Sequence, residues 1–169
     1  MIHSKDIYIF TDLDGSLINH DDYSFGSALS IIKKLNRLRI GVSLCTSKTL
    51  DEVLLWQSRL NLMSPFVIEN GSAIFFPKKE LLTICDETIE ITGADGLQSR
   101  VLGAELDKIE HVLDPFRNRL ISFLHSTTEE AANMTGLSLE EAKRAQARKY
   151  SFPLLIKDSK CHEDLTEAA

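Results

Sequence analysis

The sequence predicts an α/β fold: a Rossmann-like parallel sheet core with an inserted α+β cap lobe after it. Two observations carry this reading. Up to Ile68, short apolar runs alternate with runs of helical period, joined by short connections, which is the pattern of parallel strands with right-handed crossovers. From about residue 80 that rhythm is lost. A chain of 169 residues with 43% hydrophobic and 26% charged residues is long enough for one ordinary domain, or for a small core carrying a second compact lobe.

The elements follow in order. Residues 7–11 (IYIFT) read as a short, fully buried strand, closed by Asp12 to Gly15. Leu29, Ile32, Leu35 and Leu38 recur at three-residue steps beside Lys33, Lys34 and Arg37, which predicts a helix over 27–38 with one buried face, stopped by Gly41. Val42–Cys45 is a second strand. Leu50–Leu60 returns to helical spacing, and Phe66–Ile68 is a third strand. Asn70-Gly71 between FVIE and SAIFF predicts a tight two-residue hairpin with positive φ at both positions.

Beyond Pro77 the expectations are a strand pair around LLTIC and TIEIT, a helix over 106–119, a strand at LISFL, helices at TTEEAANM and SLEEAKRAQAR, and an apolar YSFPLLI. Ser138 three residues before Glu141 has the form of a capping box. The expected division is 1–79 for the N-terminal part of the core, 80–160 for the inserted lobe, and 161–169 for the start of a C-terminal segment cut off within an element.

A net charge of −6 with scattered lysines and arginines argues against nucleic acid as the main partner. Three cysteines, Cys45, Cys85 and Cys161, match neither a disulfide framework nor a zinc cage and suit a reducing, cytoplasmic setting. No run approaches a membrane span, and residues 1–10 lack a cleavable apolar segment, so no membrane partner is expected.

Chemistry concentrates where the first two strands end. Asp12 and Asp14, at i and i+2, point to one face of a strand about 6 to 7 Å apart. Such a pair can hold a hard cation through oxygen and divide nucleophile and acid roles. In a parallel α/β sheet the binding residues sit at the carboxyl ends of the strands, where Asp12, Thr46 and Glu69 all fall. Taken alone, Ser47 reads equally as a helix cap and Lys48 as a solvated surface charge. Asn70 fits a turn, Arg148 a basic helix end, and Cys45 a buried inert thiol.

"TDLDGSL" has the form of the first motif of haloacid dehalogenase-like phosphatases, and "LCTSK" places Thr46 where that superfamily has its second motif. "TDLDGSLINHDDYSF", "CTSKTLDEV", "PFVIENGSAIFFP" and "MTGLSLEEAKRAQARKYSFPLL" together resemble the mannosyl-3-phosphoglycerate phosphatase family in order and spacing, from Tyr8 to about Ile156. The resemblance implies that Asp12 attacks phosphorus and that Asp14 protonates the leaving oxygen and then takes a proton from water. It implies Mg2+ held by the Asp12 carboxylate and the Asp14 backbone carbonyl, and phosphate bound by Thr46, Ser47 and Lys48. Glu69, Asn70, Arg148, Tyr150 and Ser151 would bind the rest of a small sugar phosphate.

The chain departs from the family pattern at Phe152, where a Glu is expected before Pro-Leu. It also lacks the third-motif Lys and any fourth-motif Gly-Asp pair. These departures leave three readings open: an active mannosyl-3-phosphoglycerate phosphatase, another capped sugar-phosphate phosphatase, or a catalytically inactive remnant or binding module. Self-association through the incomplete sheet edge is a further expectation.

Overall fold

The structure is a computed structural model, and it describes residues 7–19, 24–77 and 97–168. The strand pair expected around LLTIC and TIEIT lies outside the described residues, as does Cys85. The chain divides into two compact units: residues 1–48 with 53–102, and residues 49–52 with 103–169.

The first unit is built on a two-stranded parallel sheet and a three-stranded antiparallel sheet, linked by one isolated bridge. Strand β1 (Tyr8–Thr11) pairs in parallel with β2 (Gly41–Leu44), with Thr11 opposite Leu44. Between them runs α1 (Ala28–Arg37), whose period-matched apolar stripe buries Ile32. Past β2, Cys45 bridges Val67 in parallel, joining β2 to β3 (Phe66–Ile68). Strands β4 (Ala73–Pro77) and β5 (Leu97–Val101) pair antiparallel in the order β3–β4–β5. The run LQSRV carries a strand that no turn signal or strong alternation announces. Helix α2 (Leu50–Leu60) crosses from β2 to β3.

Leu44, Val53, Leu60, Phe66, Ile68 and Phe75 are buried together in the core. Phe66 and Phe75 face each other across the β3–β4 ladder, their rings stacked at 5.4 Å.

Two expectations are corrected here. The opening strand is not fully buried: Ile7, Tyr8 and Phe10 are exposed, because β1 pairs only with β2 among the described residues. The β3–β4 connection is also longer than a two-residue hairpin. Ile68 pairs with Ala73, so Glu69 to Ser72 form the loop, with a 3-10 turn over Glu69–Gly71. Positive φ is present at Asn70 (60°) and Gly71 (95°) as expected, and at Glu69 (48°) as well.

The second unit contains α3 (Leu106–Leu113), β6 (Leu120–Ser122), α4 (Thr128–Thr135), α5 (Leu139–Gln146), β7 (Leu154–Ile156) and α6 (Ser159–Ala168). The helix expected over 106–119 ends early, since Pro115 starts a 3-10 turn over Asp114–Arg119. Strands β6 and β7 pair antiparallel. Both short helices begin with a capping box, Thr127 with Glu130 and Ser138 with Glu141, and Gly136 closes α4 in the left-handed conformation. No helix among the described residues is long and apolar enough to cross a membrane.

Candidate active site

Parallel pairing brings the carboxyl ends of β1 and β2 side by side, and the candidate residues gather there. Strand β1 stops at Thr11, whose carbonyl accepts from the Cys45 N–H at 2.9 Å. Asp12 and Asp14 therefore lie past the strand end, and the face-sharing argument from strand pleating does not apply to them. What fixes them is the turn. The Leu13 N–H donates to Asp12 Oδ1 at 2.7 Å, Leu13 is fully buried, and the N–H groups of Leu17 and Ile18 both donate to the Leu13 carbonyl at 3.0 Å. Gly15, at φ 68°, lets the chain reverse over this anchor.

The two acids differ in environment. Asp12 is exposed, whereas Asp14 is half-buried. Lys48 Nζ lies 3.1 Å from Asp14 Oδ2, with the lysine side chain only 12% exposed. The other oxygen, Asp14 Oδ1, is buried without a hydrogen-bond partner. A buried carboxylate oxygen in that condition is costly unless a ligand or proton meets it.

Thr46 is buried, and its hydroxyl accepts from the Lys48 N–H at 3.3 Å. Ser47, between them, is exposed. It does not cap α2. Thr49 and Glu52 do: the Thr49 N–H donates to Glu52 Oε2 at 2.9 Å, and the Glu52 N–H to Thr49 Oγ1 at 3.4 Å. The spacing Thr-x-x-Glu at 49–52 was the signal for this cap.

The Glu69–Gly71 turn docks on the same loop. The Asn70 N–H donates to the Thr46 carbonyl at 3.1 Å and the Glu69 N–H to the Lys48 carbonyl at 3.0 Å. Glu69 is buried while Asn70 is exposed. Cys45 is half-buried, and burial, then the negative charge of Asp12, push its thiol above the ordinary value of 9.0. This cysteine is a poor nucleophile.

Arg148, Tyr150 and Ser151 belong to the second unit, where Arg148 Nη1 donates to Ser151 Oγ at 2.9 Å. Phe152 meets His125 edge-on at 5.6 Å and lines an open cavity of about 680 Å³, together with Glu110, Arg117 and Asn133. Among the described residues, no three His, Cys, Asp or Glu side chains cluster as a metal cage. The donors at the strand ends are hard oxygens, Asp12 and Asp14, which suit a cation such as Mg2+ that completes its shell with water and substrate oxygens.

A family profile described as haloacid dehalogenase-like hydrolase matches residues 9–159. The chain belongs to this family. The match spans both units and places the Asp12–Asp14 turn near its start.

Among curated relatives, a glucosyl-3-phosphoglycerate/mannosyl-3-phosphoglycerate phosphatase of Persephonella marina is 38% identical over 167 residues, covering 95% of this chain and 59% of the relative. A protein of the same name from Methanococcoides burtonii is 34% identical over 146 residues, covering 84% of this chain and 53% of its own length. This haloacid dehalogenase-like chain thus spans little more than half the length of the curated relatives it matches.

Two solved structures share the fold. A Thermoplasma acidophilum protein has a TM-score of 0.58 at 17% identity, covering 95% of this chain and 55% of that one. A subclass IIB sugar phosphatase of the same superfamily has a TM-score of 0.54 at 13% identity, covering 96% and 63%.

Proposed function

We propose that this chain carries the nucleophile and acid of a Mg2+-dependent phosphomonoester hydrolase. Its substrate would be mannosyl-3-phosphoglycerate, converted to mannosylglycerate and phosphate. The observation that carries the reading is the Asp12–Asp14 turn at the carboxyl ends of parallel strands, with Asp14 Oδ1 buried and unpartnered. An exposed carboxylate followed by a half-buried one is how two chemically identical groups take different tasks.

As the substrate draws Lys48 from Asp14 to the phosphoryl oxygens, Asp14 takes up a proton from solvent. An Asp12 oxygen then attacks phosphorus, and the bond from phosphorus to the leaving sugar-acid oxygen breaks as Asp14 gives that oxygen its proton. Water then attacks the aspartyl-phosphate, passing a proton to Asp14. The bond between phosphorus and the Asp12 oxygen breaks, restoring both residues. Thr46, Ser47 and Lys48 would bind the phosphoryl oxygens, and Glu69 and Asn70 would face the mouth. Arg148, Tyr150 and Ser151 would read the glycerate and sugar. Mg2+, held by the Asp12 carboxylate and the Asp14 carbonyl, would supply positive charge to the phosphoryl oxygens. The partner would be a small molecule and not nucleic acid, a reading supported by the net charge of −6 and the scattered cations, and the three cysteines suit a cytoplasmic setting.

A second reading keeps the Thr46–Lys48 loop as a phosphate-binding site alone. Here the chain binds phosphate without turning it over. Phe152 in place of the family's acidic residue favours a third, another sugar phosphate as substrate.

Phosphate release from mannosyl-3-phosphoglycerate with Mg2+, measured beside Asp12→Asn, separates the first two. Release is expected to fall by a factor of about 10² or more in the variant, the usual scale for losing one member of a catalytic unit. Equal rates from folded wild type and variant would leave the binding reading.

A further inference from the structure

The loop that carries Thr46, Ser47 and Lys48 is held from one side by backbone groups of the β3–β4 turn. The carbonyls that flank Ser47 each accept one N–H from it: Asn70 to Thr46 at 3.1 Å, and Glu69 to Lys48 at 3.0 Å. In extended backbone, adjacent N–H groups point to opposite sides. Here φ is 48° at Glu69 and 60° at Asn70, and both N–H groups reach the same loop. The turn is itself tied down, since Ser72 Oγ donates to the Glu69 carbonyl at 2.7 Å and the Leu102 N–H to the Ser72 carbonyl at 2.8 Å.

These bonds also set where the loop's own donors point. In a planar trans peptide the N–H is directed opposite to the C=O before it. The bond from Asn70 to the Thr46 carbonyl therefore turns the Ser47 N–H away from the β3–β4 turn, on a residue that is exposed.

We propose that the left-handed turn at Glu69 and Asn70 is the template that shapes the Thr46–Lys48 loop, and that Asn70 is a positioning residue acting through its backbone. The proposal rests on the phosphate-binding reading of that loop and goes beyond it, because it gives Asn70 a task apart from substrate contact. Asparagine suits the task. It adopts the left-handed conformation more readily than other residues with a side chain, whereas a β-branched residue there is an outlier. The Asn70 side chain is exposed, so a substitution acts on backbone conformation and leaves the core packing alone.

Two variants separate backbone from side chain. Asn70→Gly removes the side chain and permits the conformation, while Asn70→Val removes the side chain and opposes it. Inorganic phosphate, titrated by calorimetry with Mg2+ present, is expected to bind Asn70→Gly within about threefold of wild type and Asn70→Val at least about tenfold more weakly. A second readout needs no ligand. The Lys48 N–H, which donates to Thr46 Oγ1 at 3.3 Å, should exchange at least about tenfold faster in Asn70→Val and close to the wild-type rate in Asn70→Gly. Equal loss of phosphate binding in both variants assigns the Asn70 side chain a contact and overturns the proposal. An unchanged Lys48 amide in folded Asn70→Val overturns it whatever phosphate does. If the exchange pattern holds and wild type binds no phosphate, the template stands and the phosphate-binding reading falls. Should Asn70→Val fail to fold, Ser72→Ala, which removes the 2.7 Å bond to the Glu69 carbonyl, should speed the same amide, and an unchanged rate there overturns the proposal.

Discussion

Four residues around the β1–β2 ends, Lys48, Asp14, Cys45 and Asp12, interact in pairs. Lys48 and Asp14 form an ion pair at 3.1 Å with side chains 12% and 27% exposed, between the exposed and buried extremes. Lys48→Met is expected to cost about 1–2 kcal/mol, above a surface pair and below a buried one. The urea midpoint should fall with the slope unchanged. Cys45 reports on Asp12 independently of turnover. Burial is the larger cause that raises its thiol and the Asp12 charge the second. Asp12→Asn removes only the second, so alkylation of Cys45 near neutral pH should become faster, because a larger fraction is thiolate. An unchanged rate would separate Asp12 from Cys45 and from the strand ends.

At the scale of elements, the clearest device is the tie between α6 and the turn before β6. Arg119 bonds Asp158 through Nε at 3.0 Å and Asp164 through Nη1 at 2.6 Å, and Asp158 Oδ1 accepts from the Cys161 N–H in the first turn of α6 at 2.8 Å. The Arg119 bond first, and the Cys161 N–H second, hold the Asp158 carboxyl down at about 2, against an ordinary 3.8. Since the folded value lies below the unfolded one, its stabilisation is fully present above pH 3.8 and is lost as the pH falls through about 2. Arg119→Met removes the larger cause, so acid unfolding of the variant should depend less steeply on pH across that window. Circular dichroism at stepped pH measures it.

Much of the whole molecule is legible in the residues. Helices α1 and α2 and strand β3 fall where apolar spacing and Gly41 put them, because period and punctuation are local properties. Ser138 and Glu141 form the capping box that their spacing announces. What escapes is what depends on distant partners. LQSRV becomes β5 only because β4 offers it a ladder. IYIFT reads as buried, yet burial needs neighbours on both sides. Asp12, Asp14 and Thr46 could be placed at strand ends by pattern, but the Lys48–Asp14 pair and the orphaned Asp14 Oδ1 required the fold of the turn.

The left-handed run at Glu69, Asn70 and Gly71 also bears on the order of events in folding. Two successive non-glycine residues at positive φ are costly, about 1–3 kcal/mol each for such strained backbones. The bonds that offset the cost, from Asn70 to Thr46 and from Glu69 to Lys48, reach back to the end of β2. The β3–β4 loop therefore has little reason to settle until β2 and β3 have met. The loop is expected to form late and open early, so substitutions in it should change unfolding rates more than folding rates.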